Sequence, residues 1–320
     1  MSSLRRGAWR REGASAAERA RALDEVSQAM SEWGFFNASG HGVDARVAAR
    51  FEAAQRAFFA LPKEHKTRVK RQADNSRGWF DDELTKQKLD WKECFDFGAQ
   101  DGHLDGRSDV DGYNQWPAEP ADFRVACEEY YAEAFALATD LAAAAALSLG
   151  LAEGYFDACF EKHTSYLRSN WYPLCPDTSA NLGIERHTDA GFLTVLMQDS
   201  VSALQVFHDG EWTLVPPVEG AYTINVGDQL QVFSNDRYRA ALHRVLASED
   251  AERFSAPFFL NTSYGTDALP VGVADEDALY LPVNWGDFRR RRFEGDFSDQ
   301  GEEVQIAHFL KSGAASRAGQ

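Results

Sequence analysis

The periodicity of the chain changes near residue 164, and that change sets what kind of core it can build. Beyond it, short apolar or alternating runs occupy residues 166–172, 192–197, 204–207, 212–215, 221–226, 229–233, 242–246 and 254–260, with Gly, Pro, Asn or Asp in most gaps. Short strands at this spacing predict a barrel or jelly roll. Before it, apolar residues keep helical spacing. Ser15 and Glu18 form a capping box ahead of Leu23, Val26, Met30 and Trp33, and Gly34 supplies the stop. A second helix is expected from the N-cap Asp44 through Val47, Phe51, Ala54 and Phe58 to Leu61, where Pro62 ends it. Residues 63–120 read as a loop-rich connection with short strands, and residues 123–149 as a long Ala-rich helix closed by Gly150. The expected class is therefore α+β. Residues 1–160 form a supporting helical region, 161–270 the barrel core and 271–320 a polar, partly helical tail. No internal repeat or low-complexity linker separates them, so they are expected to pack as one unit.

The 320 residues suffice for one large domain or two modest ones, and 44% hydrophobic against 26% charged residues is the balance of a globular chain. A net charge of −17 repels polyanions, which argues against nucleic acid and anionic membrane surfaces as partners. Cys94, Cys127, Cys159 and Cys175 are dispersed with no CxxC spacing, so reduced thiols are expected in place of a zinc cluster or disulfide framework. The opening MSSLRRGAWRREG is charged, and no run of about 18 apolar residues follows anywhere. Neither signal peptide nor membrane span is expected, and the anticipated location is cytoplasmic.

The chemistry concentrates in IERHTDAGFLTVL. His187 and Asp189 are two apart, and on a strand the two-residue period turns both side chains to one face while Thr188 points away. A third ligand must come from another strand, and His243 lies in the strand-like run RAALHRVL. Two imidazoles and one carboxylate form the facial triad of non-haem Fe(II) oxygenases, which leaves positions open for co-substrate and dioxygen. The tripeptide alone is common by chance, and its bland reading is a pair of ordinary histidines.

The surrounding motifs reduce the weight of that bland reading. GFFNASGHG (34–42), RGWFDDEL, DWKECFDFG, LRSNWYPLCP (167–176), RHTDAGFLTVL, INVGDQLQVFSNDRYRAALHRV (224–245), RFSAPFF (253–259) and the final GEEVQI occur in this order. In them the sequence resembles the isopenicillin N synthase-like family of Fe(II)/2-oxoglutarate dioxygenases, particularly its plant-type flavonoid, gibberellin and alkaloid branch. The resemblance implies a double-stranded β-helix, the cupin-like jelly roll, with a supporting N-terminal helical layer. It departs at the start, where the family opens with a short strand of IPVIDL type and MSSLRRGAWRREG has nothing similar.

By this resemblance His187, Asp189 and His243 take the iron-ligand positions. Arg253 and Ser255 take the Arg-x-Ser positions for the distal carboxylate of 2-oxoglutarate, and Asn170 and Tyr172 line the same pocket. The residues agree independently: Arg253 and Ser255 are two apart on one strand, and a guanidinium plus a hydroxyl suit a buried carboxylate. Phe259 lies on the same face and is expected to meet the primary substrate, its bland reading being a core aromatic. The implied cofactors are Fe(II) and 2-oxoglutarate, with ascorbate an optional activator and dioxygen the oxidant. The implied reaction is hydroxylation, desaturation or cyclisation of a small aromatic or apolar metabolite, with release of succinate and CO2. Two alternatives stay open. Related non-haem iron oxidases share the triad and Arg-x-Ser without consuming 2-oxoglutarate, and a jelly roll could instead bind zinc or a small molecule without oxygenase chemistry.

Other conspicuous residues read as structural. His41 matches a structural position of the family, and His65, His103, His163, His208 and His308 have no ligand spacing. Arg289 to Arg292, with Glu294 and Asp296 adjacent, read as a solvated helical face. Gly227 and Asp228 read as a hairpin turn. Trp79 and Phe80 are the aromatic candidates for shaping the pocket.

Overall fold

The computed structural model describes residues 3–5, 15–99, 112–297 and 304–314. Helix Ala16–Glu32 starts where the sequence places its capping box: the Glu18 amide donates to Ser15 Oγ at 3.2 Å, and the Ser15 amide donates to the Glu18 carboxylate at 2.8 Å. It stops at Gly34, which adopts φ +66, and a Cβ there would collide with the Arg239 carbonyl. Helix Ala45–Phe59 is capped by Asp44, whose carboxylate accepts from the Arg46 amide at 2.8 Å. Helix Phe123–Ser148 is buried nearly all round, including every residue from Ala142 to Ala146. It must lie between two layers, and it packs against both preceding helices on one side and a sheet on the other.

The sheet it covers has eight strands, in the order Ser3–Arg5, Phe35–Ser39, Ala221–Val226, Leu193–Gln198, Arg253–Leu260, Tyr166–Tyr172, Glu93–Gly98 and Gly78–Phe80. A second sheet runs Glu211–Leu214, Leu204–His208, His243–Leu246, Leu182–His187. The inner faces meet in a small apolar cluster that includes Phe35, Tyr172 and Leu196 from the first sheet and Leu204, Val206 and Val245 from the second. This is the jelly-roll arrangement, with helices on the outer face of the larger sheet.

Three expectations are corrected. The N-terminal segment does carry a strand, Ser3–Arg5, paired parallel to Phe35–Ser39; three residues pairing at a sheet edge need no apolar signature of their own. Residues 229–233 belong to a short helix, Asp228–Phe233, and Gly227 is its N-cap and not part of a hairpin turn. A fully buried run of five apolar and amide residues has no periodicity that separates strand from helix. The arginine run lies on helix Trp285–Phe297, where Arg290 and Arg291 are exposed but Arg292 is buried and Arg289 half-buried. The side chain of Asp296, like His103 as a whole, lies outside the described residues.

The helical layer and large sheet share one aromatic core. Phe58 is fully buried against Phe59, Phe95 and Phe123, with ring centroids 5.3, 5.0 and 4.8 Å away. Phe58→Ala is expected to lower stability by about 3–5 kcal/mol through lost burial and the cavity left behind. Chemical denaturation of the variant beside the parent checks this, and a loss under about 1 kcal/mol would mean that the core collapses into the gap.

Candidate metal and co-substrate site

His243 and His187 are register partners across adjacent antiparallel strands, and their rings stand 4.3 Å apart between centroids. The strand Leu182–His187 ends at His187 itself, so Asp189 follows in the loop and is not on the strand as the spacing suggested. The loop turns back, and Asp189 Oδ1 comes to 3.6 Å from Nε2 of both imidazoles. Among the described residues this is the one group of three His, Cys, Asp or Glu side chains whose ligand atoms converge, all within 4.8 Å of one another.

The supporting bonds fix which atoms are offered. His187 Nδ1 lies 2.8 Å from the Glu185 carbonyl and His243 Nδ1 3.1 Å from the Ala241 carbonyl. A carbonyl only accepts, so each Nδ1 carries a proton, and Nε2 is the atom that each neutral imidazole offers to the centre. Asp189 Oδ2 accepts from Thr194 Oγ1 at 2.5 Å and from Asn225 Nδ2 at 2.7 Å, leaving Oδ1 for the centre. Burial, reinforced by neighbouring His243, pushes the His187 imidazole down to about 3. Burial opposes ionisation of Asp189, yet the two imidazoles and the Thr194 and Asn225 bonds overcome it and hold the carboxyl below its ordinary value. A neutral imidazole and an ionised carboxylate converging with a second imidazole are the donor set of a divalent cation with open positions.

Strand Arg253–Leu260 supplies the neighbouring wall. Its residues alternate: Phe254, Ala256, Phe258 and Leu260 join the helical core, while Arg253, Ser255, Pro257 and Phe259 line the barrel interior. Arg253 and Ser255 are opposite Tyr172 and Asn170 on the next strand. The four surround a cavity of about 50 Å³ that reaches His187, Asp189 and His243. Arg253 is 2% exposed; its Nη2 donates to Gln198 Oε1 at 2.8 Å, but its buried Nε and Nη1 have no hydrogen-bond partner. Asn170 Nδ2 donates to Ser255 Oγ at 3.4 Å. A buried guanidinium with two orphaned donors is costly unless an anion fills the space, and a carboxylate matches that fork. The residues present therefore fit both Fe(II) and the distal carboxylate of 2-oxoglutarate.

A larger cavity of about 210 Å³ is also lined by His187 and Asp189. Phe259 is partly exposed in it and packs on Tyr166, ring centroids 4.7 Å apart. The facing wall is ionic: Arg168 forks onto both oxygens of Asp96 at 2.8 Å and lies 3.3 Å from Glu83. Burial opposes ionisation of Glu83, but Arg168, Lys92 and Arg71 hold its carboxyl below the ordinary value. Trp79 and Phe80 are fully buried elsewhere, Trp79 donating to Glu93 and Phe80 lying under Arg71, so they do not shape this cavity directly. The C-terminal helix adds Trp285, Arg289, Arg292 and Phe293, which sequence reading missed. Their spacing was the available signal, since i, i+4, i+7 and i+8 share one helical face.

Comparison with known proteins agrees with this geometry. Residues 163–262 match the 2OG-Fe(II) oxygenase superfamily, and residues 8–119 match the N-terminal region described as non-haem dioxygenase in morphine synthesis. The chain is 34% identical over 282 residues to gibberellin 3-beta-dioxygenase 2-2 of Triticum aestivum, covering 83% of this chain and 75% of that protein. It is 34% identical over 309 residues to the 2-oxoglutarate-Fe(II) type oxidoreductase hxnY of Emericella nidulans, covering 89% and 87%. Among solved structures, JOX2 in complex with 2OG, Fe and JA superposes with a TM-score of 0.80 at 28% identity, covering 90% of this chain and 85% of that one. Converging donor set, orphaned guanidinium and these likenesses lead to one conclusion: the chain belongs to the 2OG-Fe(II) oxygenase superfamily and is an Fe(II)- and 2-oxoglutarate-dependent oxidoreductase.

Proposed function

We propose that His187, Asp189 and His243 hold the iron, that Arg253 and Ser255 hold the distal carboxylate of 2-oxoglutarate with Asn170 and Tyr172 beside it, and that Phe259 meets the primary substrate. The observation that carries this reading is Arg253, buried with two orphaned donors in a cavity shared with the triad. When bound, Fe(II) with 2-oxoglutarate and dioxygen supplies oxidation of a substrate carbon coupled to release of succinate and CO2. The chain's own part is geometric. Thr194 and Asn225 keep Asp189 turned inward, the Glu185 and Ala241 carbonyls hold both Nδ1 atoms and so aim both Nε2 atoms at the centre, and the Arg253 fork fixes one end of the co-substrate.

For the primary substrate the best reading is a small molecule with an aromatic or apolar body lying on Phe259 and Tyr166. Its polar substituents would face the ionic wall formed by Glu83, Asp96 and Arg168. The products would follow from hydroxylation, desaturation or ring closure. The four unbridged cysteines suit a reducing, cytoplasmic setting, and no described helix is long and apolar enough to cross a membrane.

Three outcomes test the reading. His243→Ala should leave the fold intact while abolishing stoichiometric Fe(II) binding and succinate formation, because two ligands hold the ion poorly; full iron content by metal analysis would refute the assignment. Arg253→Ala should raise the 2-oxoglutarate concentration for half-maximal succinate release about 10²-fold or more. An unchanged requirement would favour the oxidase-type alternative. Phe259→Ala should weaken substrate-coupled turnover, with about 1 kcal/mol of stacking preference lost beyond area burial, while sparing iron and 2-oxoglutarate binding. The comparison is coupled against uncoupled decarboxylation in folded protein, and an equal fall in both makes Phe259 a core residue.

A further inference from the structure

Thr188 separates His187, the last residue of its strand, from Asp189 in the loop that follows, and its carbonyl and hydroxyl are both held. Its carbonyl accepts from Arg292 Nη2 at 3.0 Å, and its hydroxyl donates to Asp228 Oδ2 at 3.2 Å. Arg292 Nη1 lies 3.6 Å from that same Asp228 oxygen and donates to Gln305 Oε1 at 2.8 Å. The Asp228 amide in turn donates to the Asp189 carbonyl at 2.7 Å. Thr188, Asp228 and Arg292 are all buried. One planar guanidinium thus joins the metal-ligand loop, the helix Asp228–Phe233 and the segment after helix Trp285–Phe297.

A buried ion pair of this kind adds little to stability compared with apolar packing of the same volume, so its stability contribution does not account for it. What a rigid fork supplies is direction: it fixes the Thr188 peptide, and with it the ligands on either side. The helix that carries Arg292 also turns Trp285, Arg289 and Phe293 into the larger cavity. Building on the assignment of His187 and Asp189 as iron ligands, we propose that Arg292 is a positioning residue. It couples docking of helix Trp285–Phe297, which walls the substrate cavity, to the geometry of the ligand loop. The coupling is reciprocal: whatever fixes the loop tightens the helix, and whatever fixes the helix tightens the loop.

The test uses full-length enzyme stripped of metal and titrated with Co(II), read by absorption and by the Co(II)-induced rise in melting temperature. Arg292→Met should weaken Co(II) binding about 10- to 100-fold, and Arg292→Lys, which keeps the charge beside Asp228 but not the fork, should recover part of it. In the parent enzyme Co(II) should slow amide hydrogen exchange across the C-terminal helix, and Arg292→Met should abolish that slowing. A merely structural arginine would lower the melting temperatures of metal-free and Co(II)-bound protein alike, with Co(II) affinity and metal-dependent exchange unchanged. That result overturns the proposal. If Arg292→Met does not fold, Arg292→Lys decides, and a Co(II) affinity equal to the parent's overturns it. His187→Ala separates the two levels: Co(II) bound as tightly as by the parent refutes the ligand assignment itself. Loss in His187→Ala with none in the Arg292 variants refutes the positioning role alone.

Discussion

The two-residue alternation of strand Arg253–Leu260 joins the stability of this protein to its chemistry. Its outward side chains carry the helical layer, with Phe258 packing edge-on against Tyr131 at 5.1 Å between ring centroids. Its inward side chains set the guanidinium, hydroxyl and aromatic ring of the two cavities. Because a slip of one residue would exchange the two sets, the helices that cover the outer face also fix the register of the site. Core packing and site geometry are therefore not independent variables here, and any repacking of the helix Phe123–Ser148 acts on Arg253 through this strand.

The interior is also organised by charge. The barrel holds a buried cation without a full complement of acceptors at Arg253, while Arg168 on the adjoining strand is matched by Asp96 and Glu83. The difference lies in what each leaves open. A satisfied pair makes a rigid wall, whereas an unsatisfied donor in a closed space is tolerated where a ligand anion completes it. The same logic holds at the triad, where burial opposes ionisation of Asp189 and the imidazoles and hydrogen bonds overcome it.

Much of this was legible in the sequence because it depends on local rules. Ser15, Glu18 and Asp44 mark helix starts by capping chemistry, and the spacing of Arg253, Ser255 and Phe259 marks one face of a strand. What was not legible depends on long-range contact. The run 229–233 is fully buried, so no polar face reveals its period. Thr194 and Asn225, which orient Asp189, are unremarkable strand residues until the sheet brings them together. Arg292 reads as solvated with the rest of its run because Glu294 and Asp296 lie beside it, and only the helical phase separates its environment from that of the exposed Arg290 and Arg291. The N-terminal strand was missed because pairing at an edge uses backbone groups that any sequence offers.

The strand that ends in His187 lies at the edge of the smaller sheet, and an open edge beside the proposed metal site would be both mobile and prone to foreign pairing. The chain covers it with the segment around Asp90. The Trp91 amide donates to the Leu182 carbonyl at 3.0 Å, and the Glu185 amide donates to Asp90 Oδ1 at 3.3 Å. Burial holds the Asp90 carboxyl above its ordinary value, and Lys92 at 3.2 Å and the Thr85 hydroxyl at 2.8 Å offset part of that cost. This clamp spans from the start of the His187 strand to Glu185, whose carbonyl orients the His187 ring. Lys92, Thr85 and Glu83 of the same segment line the larger cavity. The irregular connection between the second and third long helices therefore protects an edge, steadies the His187 ring and walls a cavity, which explains why a stretch with so little periodicity holds so many buried charges.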